Sequence, residues 1–228
     1  MFPDLEGADA TQILTWAFDH FGDRIALSTA FGPSCVVLLL LASEIRPGAS
    51  AFFLDTGYHF PETLAMVDRT RQRLGSKIRL DVVSPDALAV TTDQLGPIGT
   101  SPLYAVDPDR CCGLRKVDPT RKVLRGLDAW ITALRRDQGP SRAQTPVLEE
   151  KLSDGRTLLK VNPLATWTRK EIWRHIVAHD LPYNPLHDQG YASVGCWPCT
   201  QPSSEEGDER AGRWAGQDKS ECGLHTQI

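Results

Sequence analysis

Apolar positions along the chain switch between two periods. Ile13, Leu14, Ala17, Phe18 and Phe21 recur at helical spacing, and Gly22 closes the segment. Ahead of them, Asp9-Ala10-Thr11-Gln12 has the form of a capping box, an acceptor side chain followed three residues on by glutamine. Ile25 to Ala30 then predicts a short strand that runs into Phe31-Gly32-Pro33-Ser34 and an apolar helix from Cys35 to Ile45. Ala51 to Asp55 predicts a second buried strand, ending in Thr56-Gly57-Tyr58-His59-Phe60. Pro61-Glu62 opens another helix, because proline suits the first helical position and an acid suits the first turn. Ile78 to Val83 predicts a third strand.

The stretch from about Ala87 to Val123 is less regular. Ala129 to Leu134 predicts a further strand, and Thr157 to Lys160 a short one. Thr168-Arg169-Lys170-Glu171 is a capping box, with Trp167 and Ile172 placed for a hydrophobic staple. Ile172, Trp173, Ile176 and Val177 are expected to form the inner face of that helix. Strands alternating with helices and glycine-bearing turns predict βαβ units and a mostly parallel sheet flanked by helices. Glycine, proline and charge dominate from Gly195 onward. The expectation is one α/β domain over residues 1–202 and a mobile tail over residues 203–228.

Charge and composition narrow the function classes. The chain has 228 residues, with 29 acidic and 25 basic side chains and a formal charge of −4. That balance argues against a polyanion-coating protein, so no nucleic-acid partner is expected. No apolar run approaches a bilayer span, and the first residues lack the basic and apolar regions of a signal peptide. Six cysteines without an export signal point to a reducing compartment, read here as the cytoplasm, where clustered thiols indicate metal or redox chemistry.

Four of those cysteines come as an adjacent pair, Cys111-Cys112, and a spaced pair, Cys196-Trp197-Pro198-Cys199. Two thiolate pairs could hold zinc or an iron–sulfur cluster. Adjacent cysteines diverge, which is awkward for one ion and favours a cluster offering separate irons, a cuboidal four-iron cluster best of all. The bland alternative is buried or disulfide-paired cysteine. Cys35, on an apolar helix, reads as a small core residue. Cys222 lies in a tail of bland composition and needs a reason to be there.

In an open parallel sheet, ligands sit beyond the carboxyl ends of the strands. Two turns fall there: one carries Ser28, Thr29, Phe31, Gly32 and Ser34, the other Leu54, Asp55, Thr56 and Gly57. The first precedes a helix and could present backbone N–H groups to an anion, although an ordinary strand-to-helix turn looks the same. It lacks the Gly-Lys-Ser/Thr ending of a Walker loop. Arg135, Arg136, Arg142, Arg210 and Arg213 could clamp phosphate or sulfate, or be solvated surface charge. Lys116, four residues after Cys112, could offset cluster charge or hold an anion, or be a plain exposed lysine.

Taken together, Cys111-Cys112-Gly113-Leu114-Arg115-Lys116-Val117, Gly195-Cys196-Trp197-Pro198-Cys199-Thr200 and Glu221-Cys222-Gly223-Leu224-His225 resemble the assimilatory adenylyl-sulfate reductases of the phosphoadenylyl-sulfate reductase family. Ser28 to Ser34, Leu54 to Thr63, Arg135-Arg136-Asp137-Gln138 and Gly212-Arg213-Trp214 match in order, so the resemblance spans nearly the whole chain from about residue 24. It implies a Rossmann-like adenine nucleotide α-hydrolase-like fold and a [4Fe-4S] cluster on Cys111, Cys112, Cys196 and Cys199. It further implies reduction of adenosine 5′-phosphosulfate to sulfite and AMP, with Cys222 as nucleophile and a separate thioredoxin as reductant. Lys116, Arg142, Arg210, Arg213 and His225 would surround the phosphosulfate, and the Ser28 and Leu54 turns the nucleotide. Relatives using the 3′-phosphorylated substrate typically lack both cysteine pairs, which favours the unphosphorylated one here, though some cluster-bearing relatives take both. The chain departs from the family pattern at Gly139, where serine is usual, and appears one residue shorter before Arg142. It departs again at Ser34, where an acid is common, and at Ala133, where glycine is common. Competing readings are an ATP-cleaving adenylating enzyme, whose SGG-D-S loop is missing, and a zinc or redox-sensing module. A homo-oligomer is left open.

Overall fold

A computed structural model describes residues 2–95, 101–153, 155–203, 208–216, 219 and 221–228. Its helices are α1 (Ala10–Phe21), α2 (Pro33–Ile45), α3 (Pro61–Leu74), α4 (Ala87–Leu95), α5 (Leu103–Val106), α6 (Pro108–Cys112), α7 (Asp118–Leu124) and α8 (Arg169–Ala178). Its strands are β1 (Ile25–Thr29), β2 (Ala49–Leu54), β3 (Ile78–Val83), β4 (Ala129–Ile131), β5 (Leu148–Ser153) and β6 (Arg156–Val161). They form one sheet in the order β3-β2-β1-β4-β6-β5, parallel except for β5, which runs antiparallel to β6. The mostly parallel α/β architecture read from the sequence is thus borne out.

Order reverses between β1 and β4. β2 and β3 step away to one side of β1, while β4 is laid on the other with Leu27 opposite Ile131. That reversal opens a crevice above the strand ends, because the flanking connections leave in opposite directions.

The sheet buries both faces. On one, α2 is enclosed by α1, α3 and α8, and Val36 to Leu40 are all buried, so this helix is apolar around its whole circumference. On the other, a smaller core of Ala26, Phe52, Val117, Leu124, Trp130 and Leu158 is completed by Ile228. The capping boxes at Asp9 and Thr168 form as read, with Asp9 accepting from Gln12 N–H at 2.9 Å and Thr168 from Glu171 N–H at 3.3 Å.

Several elements differ from expectation. The irregular middle folds into α4 to α7, short helices held by packing and by the Asp107 cap rather than by amphipathic period. β4 ends at Ile131, three residues early, because Thr132 to Leu134 turn to line the crevice. β5 went unread: Leu148–Ser153 mixes charge into an edge strand. Val177 is 79 % exposed, so the inner face of α8 is carried by Ile172 and Ile176 with Trp173 half-buried against the core. Part of the expected tail, residues 204–207, 217, 218 and 220, lies outside the described residues.

Truncation at the centre of the larger core should be far costlier than removal of a cap. Leu39→Ala is expected to lose about 3 kcal/mol in urea unfolding, and Thr168→Ala about 1 kcal/mol.

Candidate active site

Each wall of the crevice is set by local sequence. At the end of β1 the chain turns through Phe31, a non-glycine residue at φ 54, held by its N–H donating to Thr29 Oγ1 at 3.1 Å and by its ring against Phe53. The turn delivers Gly32 and Pro33 to the start of α2, where no side chain caps the helix. Unsatisfied amides and the helix dipole therefore face the crevice. At the end of β2, Asp55 accepts from Gly57 N–H at 2.9 Å and Thr56 from Tyr58 N–H at 3.2 Å. Gly57 sits at φ 74, and a Cβ there would come within 2.9 Å of the Arg115 guanidinium.

Ser28, Thr29, Gly32, Ser34, Leu54, Thr56, Lys116, Arg142, Arg210, Arg213, Cys222 and His225 all line one cavity. Phe31, Asp55 and Gly57 do not line it; they shape the turns beneath. Cys35, read as a core residue, lines the cavity as well. Reading by pattern missed His59, Trp130, Thr132, Gln138, Glu209 and Trp214, which complete the lining. Trp130 and Thr132 carry no motif, and only the placement of β4 beside β1 brings them there. His59, Gln138 and Trp214 stood inside segments that the family resemblance matched, which was the usable signal for them. Several buried atoms on this wall have no partner among the described residues: His59 Nδ1, Thr120 Oγ1, Trp130 Nε1, His187 Nε2, Trp214 Nε1 and His225 Nδ1. Buried polar groups left this way call for a polar partner, water or ligand.

A second, smaller cavity adjoins the first. It is lined by Cys111, Cys112, Cys196 and Cys199 together with Tyr58, Tyr104, Arg115 and Lys116. Cys111 and Cys112 end α6, after which Gly113–Val117 forms one π-helical turn. That widened turn carries Lys116 inward to line both cavities. Cys196 and Cys199 flank a 3₁₀ turn fastened by Thr200 Oγ1 donating to Cys196 O at 2.8 Å. Thr56 joins the two cavities, its hydroxyl 3.3 Å from Cys196 Sγ. Among the described residues, no three Cys, His, Asp or Glu side chains converge as on a single metal ion. Burial pushes the thiols of Cys112 and Cys199 up. Burial pulls the Lys116 ammonium down, but the sulfurs of Cys196, Cys222 and Cys112 more than reverse it, so its pKa stands above the ordinary lysine value.

The C-terminal segment closes over both. Cys222 is buried against Cys112 and Trp214. Arg213 and Arg210 lie over the Trp214 ring at 4.6 Å and 5.4 Å. A Cβ at Gly195 would push the Arg213 guanidinium from its place. His225 stacks on Trp130 at 5.6 Å, and Arg121 donates to Gln227 O at 2.9 Å. Arg135, only 2 % exposed along its side chain, donates to Ser34 Oγ at 2.5 Å, Asp137 at 2.8 Å and Glu209 at 2.6 Å. It ties the tail to the sheet rather than facing the cavity. Arg136 is turned away altogether, to Glu6 and Thr145 O.

A switch-point cavity with a bare helix start, a ring of cations and a buried thiol defines an α/β protein built to hold a nucleotide anion. The chain belongs to the phosphoadenosine phosphosulfate reductase domain family, whose model matches residues 24–202. It is 46 % identical over 216 residues to a phosphoadenosine 5′-phosphosulfate reductase of Gloeobacter violaceus, covering 94 % of this chain and 87 % of that one. It is 46 % identical over 215 residues to an adenosine 5′-phosphosulfate reductase of Salinibacter ruber, covering 94 % and 82 %. Among solved structures, a phosphoadenylyl-sulfate reductase from Candida auris in complex with phosphate superposes with a TM-score of 0.72 at 29 % identity, over 86 % of this chain and 92 % of that one. An NH3-dependent NAD synthetase from Campylobacter jejuni shares the fold alone, with a TM-score of 0.54 at 10 % identity, over 81 % and 76 %.

Burial, followed by the cations Lys160, Arg142 and Arg210, holds the His225 imidazole well below its usual range. The unfolded chain takes up a proton near pH ~6.5 that the folded His225 refuses. Stability should therefore fall as pH is lowered from about 7 to about 5, and His225→Asn should shrink that fall in urea unfolding at each pH.

Proposed function

We propose that the protein reduces adenosine 5′-phosphosulfate to sulfite and AMP in assimilatory sulfate reduction, taking both electrons from thioredoxin. One observation carries this reading: Cys222 lines the same cavity as Lys116, Arg142, Arg210 and Arg213 at the sheet's switch point. The family match and the relatives' names support it.

In the proposed reaction the Cys222 thiolate attacks the sulfonyl sulfur in line with the sulfur–oxygen bond to phosphate. That bond breaks, AMP leaves with the electron pair, and Cys222 carries an S-sulfonate. A thioredoxin thiolate then attacks Cys222 Sγ and releases sulfite, and the second thioredoxin thiol resolves the mixed disulfide. Lys116 and the arginines lower the repulsion between thiolate and anionic substrate and stabilise charge passing to the phosphate. The Ser28 and Leu54 turns hold the nucleotide, with the bare start of α2 toward its anionic end. Cys222 is only 9 % exposed, so the second step requires Cys222 to move out toward thioredoxin.

Cys111, Cys112, Cys196 and Cys199 would hold a [4Fe-4S] cluster. Four thiols around one small cavity, with Lys116 beside them to offset negative charge, fit that group. When bound it supplies structural ties and a fixed field rather than electrons, since the reducing equivalents arrive as thiols. No disulfide joins the six cysteines, and a reducing, cytoplasmic setting is part of this reading. No helix among the described residues is long and apolar enough to cross a membrane. A second reading, reduction of the 3′-phosphorylated nucleotide as well, is favoured by the name of the Gloeobacter violaceus relative.

Thioredoxin-coupled assays with both nucleotides separate these readings; turnover with neither would overturn both. Cys222→Ser should abolish sulfite release and the trapped S-sulfonate while leaving the brown chromophore. Serine in place of Cys111, Cys112, Cys196 or Cys199 should bleach that chromophore, measured by visible absorbance with iron and sulfide analysis.

A further inference from the structure

We propose that Glu221 is a carboxylate stand-in for the substrate's phosphosulfate, holding Arg142 and Arg210 until the incoming anion displaces it. The proposal rests on the reading of the cavity as a phosphosulfate site. Both oxygens of Glu221 are engaged. Arg142 donates from Nε to Oε2 at 2.8 Å and from Nη2 to Oε1 at 3.0 Å, a bidentate pair. Arg210 donates from Nη2 to Oε1 at 2.7 Å, and the backbone N–H of Cys222 donates to the same oxygen at 3.0 Å. The Glu221 side chain is 12 % exposed and those of Arg142 and Arg210 are 11 % and 10 %.

This is more than a structural ion pair. Both guanidiniums line the cavity, next to Cys222, and one carboxylate bridges them. One carboxylate spans two guanidiniums, and its Oε1 serves both. Burial and then the neighbouring Arg142 bring the Arg210 guanidinium down to about 10, while burial pushes the Glu221 carboxyl up and the two arginines more than reverse it. A phosphosulfate carries two negative charges, so on arrival it offers the arginines more than Glu221 does. Tethered one residue from Cys222, the carboxylate acts at an effective concentration on the order of mM. That suffices to keep weak inorganic anions off the arginines, but not a nucleotide whose adenosine adds its own contacts. Because Oε1 also accepts from Cys222 N–H, displacement frees the amide of the attacking residue. Substrate arrival is thereby coupled to repositioning of its sulfur.

The test is calorimetric titration of the full-length holoprotein with inorganic sulfate and, separately, with AMP, alongside steady-state kinetics. Glu221→Gln keeps the shape and an acceptor for Cys222 N–H but removes the charge. It should bind both probes about 10-fold more tightly, with a lower KM, stronger inhibition by sulfate and no rise in kcat. Glu221→Asp keeps the charge at shorter reach and should gain only about 2- to 5-fold. Unchanged or weaker binding of sulfate and AMP by Glu221→Gln overturns the stand-in, and should that variant fail to fold, the same outcome in Glu221→Asp does so. If the wild type shows no reductase turnover yet Glu221→Gln still tightens sulfate, the functional reading fails and the stand-in survives. If turnover is present and sulfate binding does not tighten, the stand-in fails alone.

Discussion

Cations taken out of water need anions, and this requirement organises the catalytic end of the molecule. Lys116, Arg135, Arg142 and Arg210 are each buried or nearly so at the carboxyl ends of the central strands. Isolated, any one of them would cost several kcal/mol. The structure supplies a carboxylate for each arginine, Asp137 and Glu209 for Arg135 and Glu221 for Arg142 and Arg210, while Lys116 lies among the sulfurs of Cys112, Cys196 and Cys222. The partners of Arg142 and Arg210, and Glu209 on Arg135, come from the C-terminal segment. That segment therefore docks where the positive charge is, and carries Cys222 with it.

Two kinds of force hold the docked segment, and they differ in what a ligand does to them. Ile228 and the half-buried Leu224 pack into the smaller core, and Trp214 is buried beside the cysteines. An anion entering the cavity leaves these apolar contacts alone. The Glu221 bridge is electrostatic and competes directly with any such anion. Glu209 lies between the two kinds: its bonds to Arg135 are buried ones, and burial itself raises its carboxyl. A latch of this construction can loosen at one carboxylate while its neighbours stay in place.

The two cavities share a wall because two short segments are irregular in compatible ways. The π-helical turn after Cys112 displaces Lys116 by enough to reach both, and the Thr56 turn touches Cys196 on one side while lining the larger cavity on the other. Changes around the cysteines should therefore be felt by a bound nucleotide through Lys116 and Thr56, with no large movement of the sheet. Ser34 fits the same economy. Its hydroxyl accepts from Arg135 while Asp137 and Glu209 supply the charge.

Local chemistry was enough to place α1, α2, α3 and α8, both capping boxes, five of the six strands with β4 carried too far, and the four paired cysteines. Period, caps and spacing are properties of neighbours along the chain, and the larger core only had to agree with them. The short helices from Ala87 to Leu124, the early end of β4 and the edge strand β5 depend on distant packing and left no periodic trace. The cavity was half legible: turn residues such as Thr29 and Thr56 announce themselves, whereas Trp130, Thr132 and Glu209 matter only because β4 lies beside β1 and the tail folds back. Sequence by itself determined which groups could carry charge and sulfur chemistry. Tertiary structure decided which cation meets which anion, because pairing across a switch point joins residues that chain order keeps far apart.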